Sequence, residues 1–195
     1  IQVLQAIEYP LRGESAAIER DRLKQALADV RRDIGGLIER SKAKAIREIF
    51  ITHQEMLDDP ELTDEVDTRL KQGESAEAAW MSVVEAAARQ QEALQDALLA
   101  ERAADLRDIG RRVLSTLCGI ETPSEPEQPY ILVMDEVGPS DVARLDPTRV
   151  AGILTARGGA TAHSAIVARA LGIPALVGAG PAVLLLAPGT PLLID

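Results

Sequence analysis

GGATAHSAIVARALGIPALVG, Gly158 to Gly178, is the stretch on which the fold turns. Two glycines open it and give the backbone the φ freedom that a tight approach needs. Ala165, Ile166, Ala168 and Leu171 then recur at helical spacing. Gly172 stands where a helix ends, and Pro174 follows as a stop. The order is loop, helix, turn, strand. His163, one of two histidines in the chain, falls on the first helical turn. There it meets N–H groups without intrahelical acceptors and the positive end of the helix dipole. That field disfavours imidazolium, which keeps a nucleophilic ring nitrogen. A phosphoryl group on that nitrogen would lie where helix N-termini bind phosphate, with the hydroxyls of Thr161 and Ser164 as further donors. The competing reading of the same spacing is a histidine that only helps to cap a helix.

Outward from this stretch the pattern alternates. Ile131 to Met134, Val150 to Thr155 and Ala175 to Val177 read as strands, with a short helix from Ser140 to Leu145. Strands alternating with helices imply an α/β layer structure. Upstream, Thr122, Pro123, Ser124, Pro126 and Pro129 mark a linker. Before it the chain is helical. Ala17, Ile18, Leu23, Ala26, Leu27, Val30 and Ile34 recur at three- and four-residue steps, and a second pattern runs from Leu37 to Leu57. Gly35 and Gly36 weaken the first helix without having to end it. Asp59-Pro60 reads as N-cap and N1 of a third helix, and Ser75 as the N-cap of a fourth. One apolar stripe then continues from Ser75 to Leu117; a helix of that length is expected to bend or split, near Glu101. Glu14 to Cys118 therefore reads as an antiparallel bundle, preceded by a strand at Ile1 to Ile7.

Composition narrows the function. The 195 residues carry a formal net charge of −10 and only 2% aromatics, which disfavours nucleic-acid binding and favours a basic partner. Glu55, Asp58, Asp59, Glu61, Asp64, Glu65 and Asp67 form an acidic run without Lys or Arg, readable as a docking face or as a solvated one. No apolar run approaches the roughly 20 residues of a membrane span, and Ile1 to Arg12 does not read as a secretory signal. A single cysteine, Cys118, fits a reducing cytoplasm, and no zinc-spaced ligand pair occurs. A start at Ile1 reads as a processed chain or an excised piece.

The Gly158–Gly178 stretch resembles the phosphohistidine signature of the phosphoenolpyruvate (PEP)-utilising enzymes, which Thr161, His163, Ala165, Ile166, Ala168, Arg169, Gly172, Ile173 and Pro174 all fit. The helical segment resembles the domain that Enzyme I of the sugar phosphotransferase system inserts into its phosphohistidine domain. The resemblance rests on Glu19-Arg20 with Leu23, Ile49-Phe50 with His53, Met56-Leu57 with Asp59-Pro60-Glu61-Leu62, and the block Glu101 to Gly110. Gly138-Pro139-Ser140-Asp141 is also similar to this family. The wording of the signature looks closest to multiphosphoryl-transfer proteins, which fuse such a module to others. Pyruvate phosphate dikinase and similar enzymes share the signature but not the helical insert.

The resemblance implies an α/β plus all-α architecture: a swivelling phosphohistidine α/β domain, residues 1–13 and 119–195, with an inserted HPr-binding helical bundle, residues 14–118. His163 would take phosphoryl through Nε2 from PEP held on a separate C-terminal domain and pass it to a histidine of HPr or an HPr-like domain. Docking would use Asp58, Asp59 and Glu61 around Met56 and Leu62, with Arg102 opposite, and His53 in an interfacial rather than catalytic role. No cofactor is expected in these residues; magnesium belongs with the PEP-binding domain beyond them. No nucleic acid or membrane insertion is expected. The implied protein is cytoplasmic, this piece monomeric and incomplete for PEP turnover, and the full-length form a homodimer. Two positions depart from the family: Ala160 stands where many members have Arg, and Val142 where they often have Thr. Arg157, in the same loop, is the candidate replacement cation. A non-catalytic regulatory module binding a basic partner is the alternative from another class.

Overall fold

The computed structural model describes residues 7–120, 126–159 and 162–193. The chain divides into two compact units, one of them Ile7–Thr122 and the other containing Pro123–Asp195. The strand expected at Ile1 to Ile7 lies almost wholly outside the described residues, as does most of the linker.

The first unit is a bundle of α1 (Ala16–Arg40), α2 (Lys44–Leu57), α3 (Pro60–Lys71), α4 (Ala76–Ala93) and α5 (Ala97–Leu117). Its helix starts are written locally. Ser15 Oγ accepts from Ile18 N, Asp59 Oδ1 from Glu61 N at 2.9 Å, and Ser75 Oγ from Ala78 N at 3.1 Å. Each satisfies an N–H that has no acceptor inside its own helix. α1 runs through Gly35 and Gly36 unbroken, because Ile34 and Leu37 on either side are buried and their packing outweighs the glycine cost.

The stripe from Ser75 to Leu117 is two helices rather than one. It breaks at Leu94–Asp96 and not near Glu101: Gln95 takes φ 52°, and Asp96 Oδ1 caps the amides of Leu98 and Leu99. α4 and α5 fold back on each other, burying Trp80, Val84, Ile109 and Val113 completely or nearly so. Trp80 Nε1 donates to the Gly110 carbonyl at 3.2 Å. A Cβ on Gly110 would lie 2.7 Å from Val84 Cγ1, so the glycine sets how closely the helices approach.

The unit begins at Ile7 rather than at Glu14. Its opening residues are tied to the α3–α4 turn, where Gly13 N donates to Gly73 O at 3.2 Å and Ser75 N to Leu11 O at 3.2 Å. Next to this tie, the buried Glu19 accepts from Ala76 N at 2.8 Å, and Arg22 bridges Glu19 to the buried Glu77.

The second unit holds a parallel sheet in the order β1 (Tyr130–Met134), β2 (Val150–Thr155), β3 (Ala175–Leu176), with Met134 opposite Thr155 and Ile153 opposite Ala175. α6 (Pro139–Arg144) and α7 (His163–Ala170) connect the strands, and a 3₁₀ turn follows at Pro181–Leu185. Val133 and Ile153 are fully buried, as continuous apolar runs in a parallel sheet require. α7 ends as its glycine predicts. Gly172 has φ 73°, its N–H bonds Arg169 O at 3.1 Å, and Ile173 N reaches Ala168 O at 2.9 Å.

Candidate functional site

In a parallel sheet each crossover helix starts at the C-terminal end of the strand before it. The starts of α6 and α7 and the ends of β1 and β2 therefore share one sheet edge, the edge at which open α/β sheets bind ligands.

The loop from β2 to α7 is held on a fixed floor. Ala156 N donates to Met134 O at 3.0 Å and Arg157 N to Asp135 O at 2.8 Å, which carries the β1–β2 pairing past the strand ends. Thr155 Oγ1 donates to Arg157 O at 2.6 Å. On the other side, Ala179 N and Gly180 N donate to Thr155 O and Ala156 O. Gly158 takes φ 107°, open to glycine alone without strain, and a Cβ on Gly178 would come within 2.9 Å of its carbonyl.

His163 is the first residue of α7 and half-buried, with Ala162 as N-cap. Ala165 N and Ile166 N already reach the Ala162 carbonyl, at 3.0 and 3.1 Å. The amides of His163 and Ser164 precede the first intrahelical acceptor, so the helix start presents donors and partial positive charge beside the ring. An imidazole there can carry a phosphoryl dianion next to groups suited to bind it.

The remaining expected residues fall unevenly. Thr161 and Ala160 lie outside the described residues. Ser164 is buried rather than open at the surface. Val142 is fully buried in α6, which packs on α7, and offers no hydroxyl. Arg157 is forked onto Asp135 through Nε, at 3.0 Å to Oδ1, and through Nη2 to Oδ2, with Glu136 4.0 Å from Nη2. Asp135 and Glu136 were missed by sequence reading; their only signal was their place just after a predicted strand.

The expected docking face is corrected in part. His53, Met56 and Leu62 are 0%, 3% and 6% exposed, so they offer no surface contact. Met56 and Leu62 lie in the bundle core. His53 is enclosed between two carboxylates of α5, its Nε2 3.3 Å from Asp105 Oδ1 and its Nδ1 3.7 Å from Asp108 Oδ2, with the Phe50 ring edge-on. Glu55, Asp58, Glu61 and Arg102 are exposed. Asp58 pairs with Arg31, and Asp59 is spent on capping α3. Exposed large apolar side chains of this unit include Leu94 and Leu98, 66% and 73% exposed, at the α4–α5 turn, with Arg102 one helical turn beyond Leu98, and also Leu11, Ile18 and Ile51. Leu94 and Leu98 both belong to the apolar stripe that the spacing predicts from Ser75 to Leu117. Asp96 was the missed signal, since a capping aspartate restarts a helix.

Among the described residues no helix is long and apolar enough to cross a membrane, and no group of three or more His, Cys, Asp or Glu is arranged to hold a metal ion.

Comparison with known proteins gives consistent matches. The family described as PEP-utilising enzyme, N-terminal, matches residues 2–102, and PEP-utilising enzyme, mobile domain, matches residues 126–195. A "Multiphosphoryl transfer protein" of Rhodobacter capsulatus is 50% identical over 75% of this chain and 18% of its own length. A "Phosphoenolpyruvate-protein phosphotransferase" of Streptomyces coelicolor is 38% identical over 90% of this chain and 32% of its own. Among solved structures, a solution structure of Enzyme I shares 32% identity at a TM-score of 0.68, covering 91% of this chain and 76% of that one. An "N-terminal domain of Enzyme 1 - Nitrogen" shares 33% at 0.66, covering 91% and 78%. The chain thus spans between 18% and 32% of these two curated relatives.

Proposed function

We propose, because this chain belongs to the family of PEP-utilising enzymes, that His163 is a covalent phosphoryl carrier serving a phosphotransferase relay. The observation that carries the reading is the position of His163 at the start of α7, on the ligand-binding edge of a parallel sheet. The Nε2 lone pair attacks phosphorus, an N–P bond forms, and the donor's bond to phosphorus breaks with its electron pair. With PEP on a C-terminal domain as donor, the leaving group is the enolate of pyruvate. With phosphorylated HPr, it is the carrier's imidazole. The reverse step returns the group to HPr. Magnesium-dependent handling of PEP falls to the domain outside this chain.

The helical unit is the docking module for HPr or an HPr-like domain. Its exposed acids Glu55, Asp58 and Glu61 would steer a basic partner, and Leu94 and Leu98 with Arg102 would supply an apolar contact with a charged rim. Mixing the chain with ³²P-labelled phospho-HPr tests both parts. The expected result is an acid-labile label on the chain that is absent from His163→Ala. Binding of HPr without label on the unaltered chain would instead make this a non-catalytic interaction module.

A further inference from the structure

We infer that Arg31 is a competitor built into the docking face: it occupies Asp58, one of the exposed acids offered to a basic carrier, and so slows that carrier's association. The inference rests on the docking reading of the helical unit and concerns how that docking is regulated.

Three observations support it. First, Arg31 is held at both ends by one face of α2. Gln54 Nε2 donates to the Arg31 carbonyl at 3.2 Å, and Asp58, one helical turn further along, pairs with the Arg31 guanidinium. Second, the pair stands in solvent: Arg31 and Asp58 are 50% and 55% exposed, so a partner's cation has access to the same carboxylate. Third, the cation comes from elsewhere in the fold. The run from Glu55 to Asp67 contains no Lys or Arg, and Arg31 reaches it from α1. Among the described residues Glu55 and Glu61, the exposed acids on either side of Asp58, have no cation partner.

Exposed ion pairs add little to folding, so stability alone is a poor account of this one. The same weakness makes it exchangeable: a cation on the partner can take the place of the guanidinium at small cost. Until it does, the charge of Arg31 cancels that of Asp58 beyond the Debye length, where an approaching partner is steered. The docking face then attracts the carrier through its neighbouring acids alone. A charge on the rim of an interface acts mainly on the association rate, which is where the effect of Arg31 belongs.

Stopped-flow association with fluorescently labelled HPr at low salt decides the matter. The unaltered chain is compared with Arg31→Ala, Arg32→Ala, Asp58→Asn and the Arg31→Ala, Asp58→Asn double variant. Arg32→Ala is the control for net charge, since it removes the same charge one residue away from a cation paired with Asp29 instead. Arg31→Ala is expected to raise the association rate constant about threefold, and Arg32→Ala clearly less. With Asn at position 58, Arg31→Ala should give no more than the charge control does. Equal gains in Arg31→Ala and Arg32→Ala overturn the inference, and so does a full gain that persists without Asp58. Slower association in Arg31→Ala overturns it too, because the guanidinium would then be helping the partner. Failure of the docking reading looks different: neither the unaltered chain nor any variant would associate with HPr, and both ideas would fall.

Discussion

Gly178 shows how much of the site hangs on single positions. At φ 71°, with Gly158 O only 2.9 Å from where a Cβ would sit, it tolerates no side chain without moving the loop beneath Arg157. Gly178→Ala should therefore cost about 1–2 kcal/mol in a denaturant titration and slow exchange from phospho-HPr as well. Arg157→Ala, which leaves the loop backbone intact, should slow exchange at least about tenfold, near 1.4 kcal/mol of barrier, with no comparable loss of stability. Unchanged exchange in that variant would remove Arg157 from the site. The departures at Ala160 and Val142 were legible in the sequence; the fork on Asp135 was not. It joins residues from two strand ends that become neighbours only when the sheet forms.

Helices carry the next lesson. The Glu101 to Gly110 block, matched so closely to the family in sequence, serves largely as an internal lattice. Asp105 and Asp108 enclose His53, Arg107 ties α5 to Glu85 and Glu92 of α4, and Gly110 fixes the helix spacing. His53→Ala would leave two buried carboxylates facing a void. The expected loss is about 2–5 kcal/mol, from the cavity left in the bundle core, read as a lower midpoint in urea. Gly110→Ala drives a methyl into Val84 and should cost about 1–3 kcal/mol, relieved in part by shortening Val84 to Ala in the same chain. An additive double variant would show that the two do not meet.

Across the whole molecule, charge sets two behaviours. Burial would raise the Glu19 carboxyl, but the Ala76 and Glu14 amides and the Arg22 guanidinium together hold it below its ordinary value of 4.5. The hydrogen bond from Arg107 lowers Glu85 and Glu92 likewise. Groups lowered on folding stabilise fully above the ordinary value and lose that contribution as pH falls through the lowered one. The helical unit should therefore hold its stability down to about pH 4.5 and lose it steadily below, followed by urea midpoints. Second, a chain of net charge −10 docking a basic carrier should associate more slowly as salt rises, and Glu61→Lys should flatten that dependence. Local sequence was enough to give the caps of α3 and α4, the start and end of α7, the alternation of strands and helices and the place of His163. Each of these is written by hydrogen bonds or periodicity within a few residues. Three-dimensional packing was needed to show that His53, Met56 and Leu62 are interior, that the long stripe folds into α4 and α5, that the strands pair in parallel, and that Asp135 holds Arg157. Burial and ion pairing depend on which distant segments the chain brings together, and no local spacing encodes that.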